Sequence, residues 1–216
     1  MATPRPVDMQ VPIDKEFFCD GHYYVLTSSS LGGSGLSAEE VADVLGEGAP
    51  DRMNDLLQRG VCLPLFYDGD CAMDGDTVFI VGALDSEHER AWIGRLRSRL
   101  EIPCGRLVLL AGGGDPDGLA RALSGKPPDP DYVVHQTIEV PPGTYDVDIM
   151  AYANSMTVAV HEEDLDEQEI AERYAHLPQV RESYVVHLRP ASGEVRMPVL
   201  VSHVGWPGVF EFREPR

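Results

Sequence analysis

Ile138-Glu139-Val140-Pro141-Pro142-Gly143-Thr144-Tyr145-Asp146-Val147-Asp148-Ile149 is the stretch from which the fold is read. From Tyr145 onward the chain alternates: Tyr145, Val147, Ile149 and Ala151 share one face, and Asp146, Asp148 and Met150 share the other. That is the period-two pattern of a half-buried strand. Ile138 and Val140 give the preceding segment a similar apolar face. The tandem prolines have no N–H to donate to a central ladder, and Gly143 is free to turn. The expectation is a β-hairpin near the middle of the fold, with Asp146 and Asp148 exposed on its polar side.

Toward the N-terminus, Pro103-Cys104-Gly105 turns the chain into Arg106–Leu110, a continuous apolar run that predicts a strand buried on both faces. Ser86 and Glu89 have the spacing of a capping box, and Trp92, Ile93, Leu96 and Leu100 then fit one face of a helix. Arg95, Arg97 and Arg99 would lie in its last turns, complementing the helix dipole. Thr77–Gly82 and Val61–Tyr67 read as strands. Asp51–Arg59 reads as a helix, as does a segment opened by the Ser37/Glu40 capping box. Phe17–Cys19 and Tyr23–Thr27 read as strands about the turn Asp20-Gly21, after an irregular leader, Met1–Asp14.

Beyond Gly112-Gly113-Gly114, Asp115-Pro116 is a good cap and first-turn pair for a helix ended by Gly125. Lys126–Asp131 is a proline-rich connector and the best candidate for a subdomain boundary. After the central stretch come the short apolar segment Met156–Val160, an acidic run, a helix about Asp166–His176 and a strand at Ser183–Arg189. The last pieces, Val199–Val204 and Val209–Phe212, are expected to pair with each other. Many short strands with few strand–helix–strand alternations predict one α+β domain over residues 1–216. Its sheets would be antiparallel and sandwich-like, with short helices on one face or edge.

The 216 residues are 43% hydrophobic and 7% aromatic, ordinary for a globular chain, but the formal net charge is -19. Such a field repels nucleic acid and anionic membrane and attracts basic partners. No apolar run is long enough to span a bilayer, and Met1–Asp14 lacks the basic and apolar regions of a signal peptide. Cys19, Cys62, Cys71 and Cys104 form no CxxC pair, so free thiols in a reducing, cytoplasmic compartment are expected.

The motifs of common chemistries fail at particular residues. The loop Asp68–Asp76 offers four aspartates, but an EF-hand needs glycine sixth and glutamate twelfth, and Met73 and Phe79 stand there. His161-Glu162 and His88-Glu89 begin zinc-protease helices that Leu165 and Trp92 end. Gly112–Gly114 has the setting of a dinucleotide loop, but Asp117 occupies the third glycine position and Asp115 would repel a pyrophosphate. Gly32–Gly35 lacks the Gly-Lys-Ser/Thr of a P-loop, and Leu36 denies Ser34 a nucleophile elbow. No catalytic residue, metal ligand or cofactor site is nominated.

The densest charge is Glu162-Glu163-Asp164 followed by Asp166, Glu167 and Glu169. A helix N-terminus accounts for some of these carboxylates. Crowding all of them is unfavourable unless a cation sits opposite, which predicts a docking face for a basic partner. Asp146 and Asp148 join that face as exposed strand residues, with Tyr152 or Trp206 as aromatic candidates for its centre. A different class of function is a small-molecule-binding protein or enzyme whose pocket is lipped by the glycine loops 32–35 and 112–114.

The runs IPCGRLVLL (Ile102–Leu110) and IEVPPGTYDVDI (Ile138–Ile149) resemble the pattern of small bacterial proteins such as the competence protein J family, which is associated with restraining a nuclease. The likeness spans roughly Ile102–Leu188. It implies a β-sandwich-like fold and protein binding, and carries no catalytic residue onto these positions. An acidic immunity protein or inhibitor, offering carboxylates where a basic nuclease or toxin expects phosphates, would fit the charge.

Overall fold

The computed structural model describes residues 8–19, 21, 23–47, 49–67, 72–73, 76–194, 197–199 and 210–214. Its first half holds β1 (Met9–Pro12), β2 (Tyr23–Ser28), α1 (Ala38–Glu47), α2 (Pro50–Gln58), β3 (Cys62–Phe66), β4 (Thr77–Val81), α3 (Ser86–Ala91) and β5 (Gly94–Ile102). Then follow β6 (Arg106–Ala111), α4 (Pro116–Leu123), β7 (His135–Glu139), β8 (Gly143–Ala151), α5 (Met156–His161), α6 (Glu167–Arg173), β9 (Tyr184–Pro190) and β10 (Glu211–Phe212). The strands form a six-stranded sheet, β1-β4-β9-β8-β5-β10, and a four-stranded sheet, β3-β2-β6-β7. All neighbours are antiparallel except β4 and β9. This is the expected α+β class.

The central stretch departs from the expected hairpin. β7 pairs with β6 in the four-stranded sheet, whereas β8 pairs with β5 and β9 in the six-stranded one. Pro141-Pro142 therefore carries the chain from one sheet to the other. A parallel corner runs beside it at Pro103-Cys104-Gly105, between β5 and β6. The two corners are tied together: the Val140 N–H donates to the Gly105 carbonyl at 2.9 Å, and the Tyr145 hydroxyl donates to the Pro141 carbonyl at 2.5 Å. Gly105 is required there, because its φ is +73° and a Cβ would stand 2.9 Å from the Val140 carbonyl oxygen. Prolines end one ladder and begin the next without leaving an N–H unpaired, which is why they suit a crossing as well as a turn.

Between the sheets lies one hydrophobic cluster. Phe79, Val147, Ile149, Val186 and Leu188 come from the larger sheet, and Tyr24, Leu26, Leu107 and Leu109 from the smaller. It draws on residues from both sides of the Lys126–Asp131 connector. α1 packs on α4, α2 on β3, and α4 on β6 and β7, so these helices cover the smaller sheet. The larger sheet has a second, smaller apolar cluster on its other face, where Val78, Ile80, Trp92, Met150, Tyr152 and Val185 meet.

Several local expectations change. The helix expected from Ser86 through Leu100 ends at Ala91, and the arginine-rich part is strand β5. Its burial alternates residue by residue, so Arg95, Arg97 and Arg99 share one sheet face rather than a helix C-terminus. The cap of α3 is Asp85, whose carboxylate accepts from the N–H groups of Glu87 and His88, both at 2.9 Å. The Ser37/Glu40 box before α1 is present, at 2.7 and 3.2 Å. Within the leader, Met9–Pro12 is an edge strand on β4. Phe17 does not pair with β2; it bridges Val133. Asp20, His22, His203, Trp206, most of the Asp68–Asp76 loop and all but Val199 of the strand expected at Val199–Val204 lie outside the described residues, whereas the strand expected at Val209–Phe212 is β10, paired with β5. Among the described residues no helix is long and apolar enough to cross a membrane.

Candidate functional site

The acidic run falls on a corner built by α5 and α6. Ser155 caps α5, accepting from the Val158 N–H. Asp166 and Glu169 form a capping box on α6, with both bonds at 2.9 Å. Val158, Ile170 and Tyr174 anchor the two helices in the main core. His161, the last residue of α5, stacks on Phe212 of β10 with ring centroids 3.6 Å apart.

The carboxylates of this corner divide into two kinds. Glu162 is buried, 7% exposed, and neutralised internally: the Tyr174 hydroxyl donates to Oε1 at 2.5 Å and Arg173 Nη1 to Oε2 at 3.0 Å. Burial, and then the Glu162 carboxylate, push the Tyr174 phenol up to about 12. Glu162 is thus a brace between α5 and α6, and its assignment to the docking face is corrected. Glu163, Asp164, Asp166, Glu167 and Glu169 are exposed, and none has an ion-pair partner among the described residues. Asp166 and Glu169 also serve the helix cap, leaving Glu163, Asp164 and Glu167 without any structural task in the described bonds.

Asp146 and Asp148 are not exposed strand residues. They do lie opposite the apolar side of β8, as the alternation predicts, but they are 3% and 2% exposed. Arg99 of β5, the register partner of Asp146, donates to Asp146 Oδ1 from Nε and Nη2 at 3.1 and 2.7 Å. Arg189 of β9 flanks Asp146 at 3.8 Å and Asp148 at 3.3 Å. Asp146 is therefore held by guanidinium groups from the strands on either side, and Asp148 by that of Arg189 alone among the described residues. Arg95 and Arg97 turn to Glu211 of β10, at 3.3 and 3.0 Å, and the guanidinium groups of Arg95 and Arg213 lie over the Trp92 ring, 4.2 and 3.8 Å from its centroid. Beside Asp148, His187 donates from Nε2 to the Gly82 carbonyl at 2.9 Å, and its Nδ1 is buried without a hydrogen bond. In this ionic layer the aspartates are buried beneath partly exposed guanidinium groups, so their carboxylates are not offered to a partner.

The signal for that layer was present in the sequence. Arg95-Leu96-Arg97-Ser98-Arg99 and Asp146-Val147-Asp148 carry opposite charges at the same period of two, as expected of paired strands whose side chains face each other. The brace of Glu162 by Tyr174 had no such signature. Tyr152 is 1% exposed and belongs to the second apolar cluster, not to a surface.

The glycine loops pack against different neighbours. A Cβ at Gly113 would lie 2.6 Å from Val25 Cγ2, and one at Gly32 3.1 Å from the Gly60 carbonyl oxygen. Close approach of backbone to core accounts for both. Just before the first loop, Ser29 Oγ is 3.2 Å from Cys104 Sγ. Partial burial raises the Cys104 thiol, but hydrogen bonds with Ser29 and Ser30 outweigh it and hold the group at about 7, whereas burial pushes Cys62 up to about 12. Iodoacetamide is expected to modify Cys104 in the native protein with a rate that rises through a midpoint near pH 7, leaving Cys62 untouched. Peptide mapping of the alkylated protein checks this, and equal labelling of both thiols would contradict it.

No family model matches the chain, and no curated protein matches it. Among solved structures the chain is similar to one named crocagin biosynthetic gene J, with 17% identity and a TM-score of 0.42; the match covers 86% of this chain and 96% of that one.

Proposed function

We propose that the protein binds a basic protein partner, of the nuclease or toxin class, through the exposed carboxylates of the α5–α6 corner. One observation carries this reading. The chain buries and pairs Asp146, Asp148 and Glu162, yet leaves Glu163, Asp164, Asp166, Glu167 and Glu169 exposed and without ion pairs among the described residues. Like charges gathered on one rigid corner repel each other in the free protein, and that repulsion is relieved when a cationic surface docks. In a chain of net charge -19 the same field speeds encounter with a basic protein. An inhibitor of a nuclease would act by occupying the cationic groove that otherwise takes phosphates. The free thiols of Cys62 and Cys104 support a reducing, cytoplasmic setting.

The test reverses Glu163, Asp164 and Glu167 to lysine, sparing the Asp166–Glu169 cap so that α6 keeps its start. Basic proteins retained from the native cell by the wild type at low salt are expected to be released at high salt. The reversed variant should retain none of them, with association slowed about 10- to 100-fold for a purified partner. Equal retention by wild type and variant, with unchanged salt dependence, rules out this face.

A further inference from the structure

The α5–α6 corner is more than a charged surface. Between the two helices and the turn at Ala153 lies a groove of about 550 Å³, lined by Ala153, Met156, Ala159, Ile170 and Ala171, with Glu167 among its walls. The reason for the groove is the size of the side chains. Ala159 on α5 and Ala171 on α6 are exposed and too small to close the space above Ile170, which is itself 3% exposed and part of the core. Val160, next to Ala159, is 40% exposed, so apolar surface continues along α5 beyond the groove. Monomeric proteins do expose scattered apolar residues, but here Ala159 and Ala171 line a concavity that the Glu167 carboxylate also lines.

We propose that this groove seats one large apolar side chain of the partner, leucine- or methionine-like, while lysines or arginines flanking it in the partner's sequence meet Glu163, Asp164 and Glu167. This rests on the reading of the corner as a docking face and specifies what that face recognises. Charge complementarity selects the occupant. A second copy of this chain, at net charge -19, would bring like charge to Glu167 and the exposed carboxylates of the corner, whereas a basic segment brings the opposite sign. Division of labour follows from the physics of each term. The carboxylates supply long-range attraction and salt dependence, and the buried apolar anchor supplies contact energy that salt does not screen.

Two short arginine-rich peptides, identical except for a central leucine in one and a central serine in the other, test the idea by titration into isotope-labelled protein followed by NMR. The leucine peptide is expected to bind roughly tenfold tighter, the order of effect of burying one such side chain, and to shift the amides of Ala159, Ile170 and Ala171. Ala171→Trp fills the groove from an exposed position, and Ala159→Trp does so from the opposite wall. Either should erase the difference between the peptides while leaving salt-sensitive binding of the serine peptide intact. Equal affinity of both peptides for the wild type, with shifts confined to the carboxylate-bearing residues, overturns the groove and leaves the docking face standing. Binding of neither peptide, or unchanged binding to the Glu163→Lys/Asp164→Lys/Glu167→Lys protein, overturns both.

Discussion

Arg99→Leu is expected to destabilise the fold by about 3–5 kcal/mol, because it strands the Asp146 carboxylate in the protein interior. Arg99 makes two hydrogen bonds to Asp146 Oδ1, at 3.1 and 2.7 Å, and a third to the Gly193 carbonyl at 2.7 Å. The remaining cation near Asp146, Arg189, stands at 3.8 Å and also serves Asp148. With Asp146 only 3% exposed, water cannot replace the lost partner. The reverse change, Asp146→Leu, should be milder, because Arg99 is partly exposed and can turn its head to solvent. The double variant Arg99→Leu/Asp146→Leu should recover most of the loss, as replacement of a whole buried pair by apolar residues is close to neutral. Urea unfolding of the three variants checks the pattern. A loss under about 1 kcal/mol in Arg99→Leu would mean that Asp146 is satisfied without it.

Phe79→Ala should cost a similar amount, about 3–5 kcal/mol, for an unrelated reason. Phe79 is fully buried in β4, within the cluster that joins the two sheets, and its register partners are Val186 of β9 and Val11 of β1. Strands on both sides hold the backbone, so the neighbours cannot collapse into the cavity and the lost contacts are not regained. Phe18→Ala provides the comparison. Phe18 is 44% exposed and meets only the tilted ring of Tyr132 at 6.0 Å among its ring contacts, so its loss should stay within about 1 kcal/mol. Thermal or urea unfolding distinguishes them, and equal destabilisation by the two changes would show that Phe79 is not at the sheet interface.

The proposed binding corner and the ionic layer make different demands on the same kind of residue. Asp146, Asp148 and Glu162 act in the interior, where a carboxylate is tolerable only with its cation fixed beside it. Glu163, Asp164 and Glu167 act at the surface, where the lack of a partner costs little and leaves attraction available to another molecule. Salt is therefore expected to weaken partner binding while leaving the buried pairs largely unscreened.

Local chemistry alone determined much of this protein: the apolar run of β6, the strand period of β8, the Ser37/Glu40 box, the Asp115 cap of α4, and the α+β class. Each depends on neighbours a few residues apart, where spacing and backbone preference act directly. Arg95–Arg99 misled because a charged, Leu-containing run fits both periods when short, and strand pairing with β8 settled it. Only the tertiary structure decided that Pro141-Pro142 joins two sheets instead of closing a hairpin, and that the buried carboxylates of Asp146 and Asp148 face arginines instead of water. Alternation states that a strand has two unlike faces. What covers the polar face is supplied by Arg99 and Arg189, dozens of residues away in the chain, and distance along the sequence carries no record of that contact.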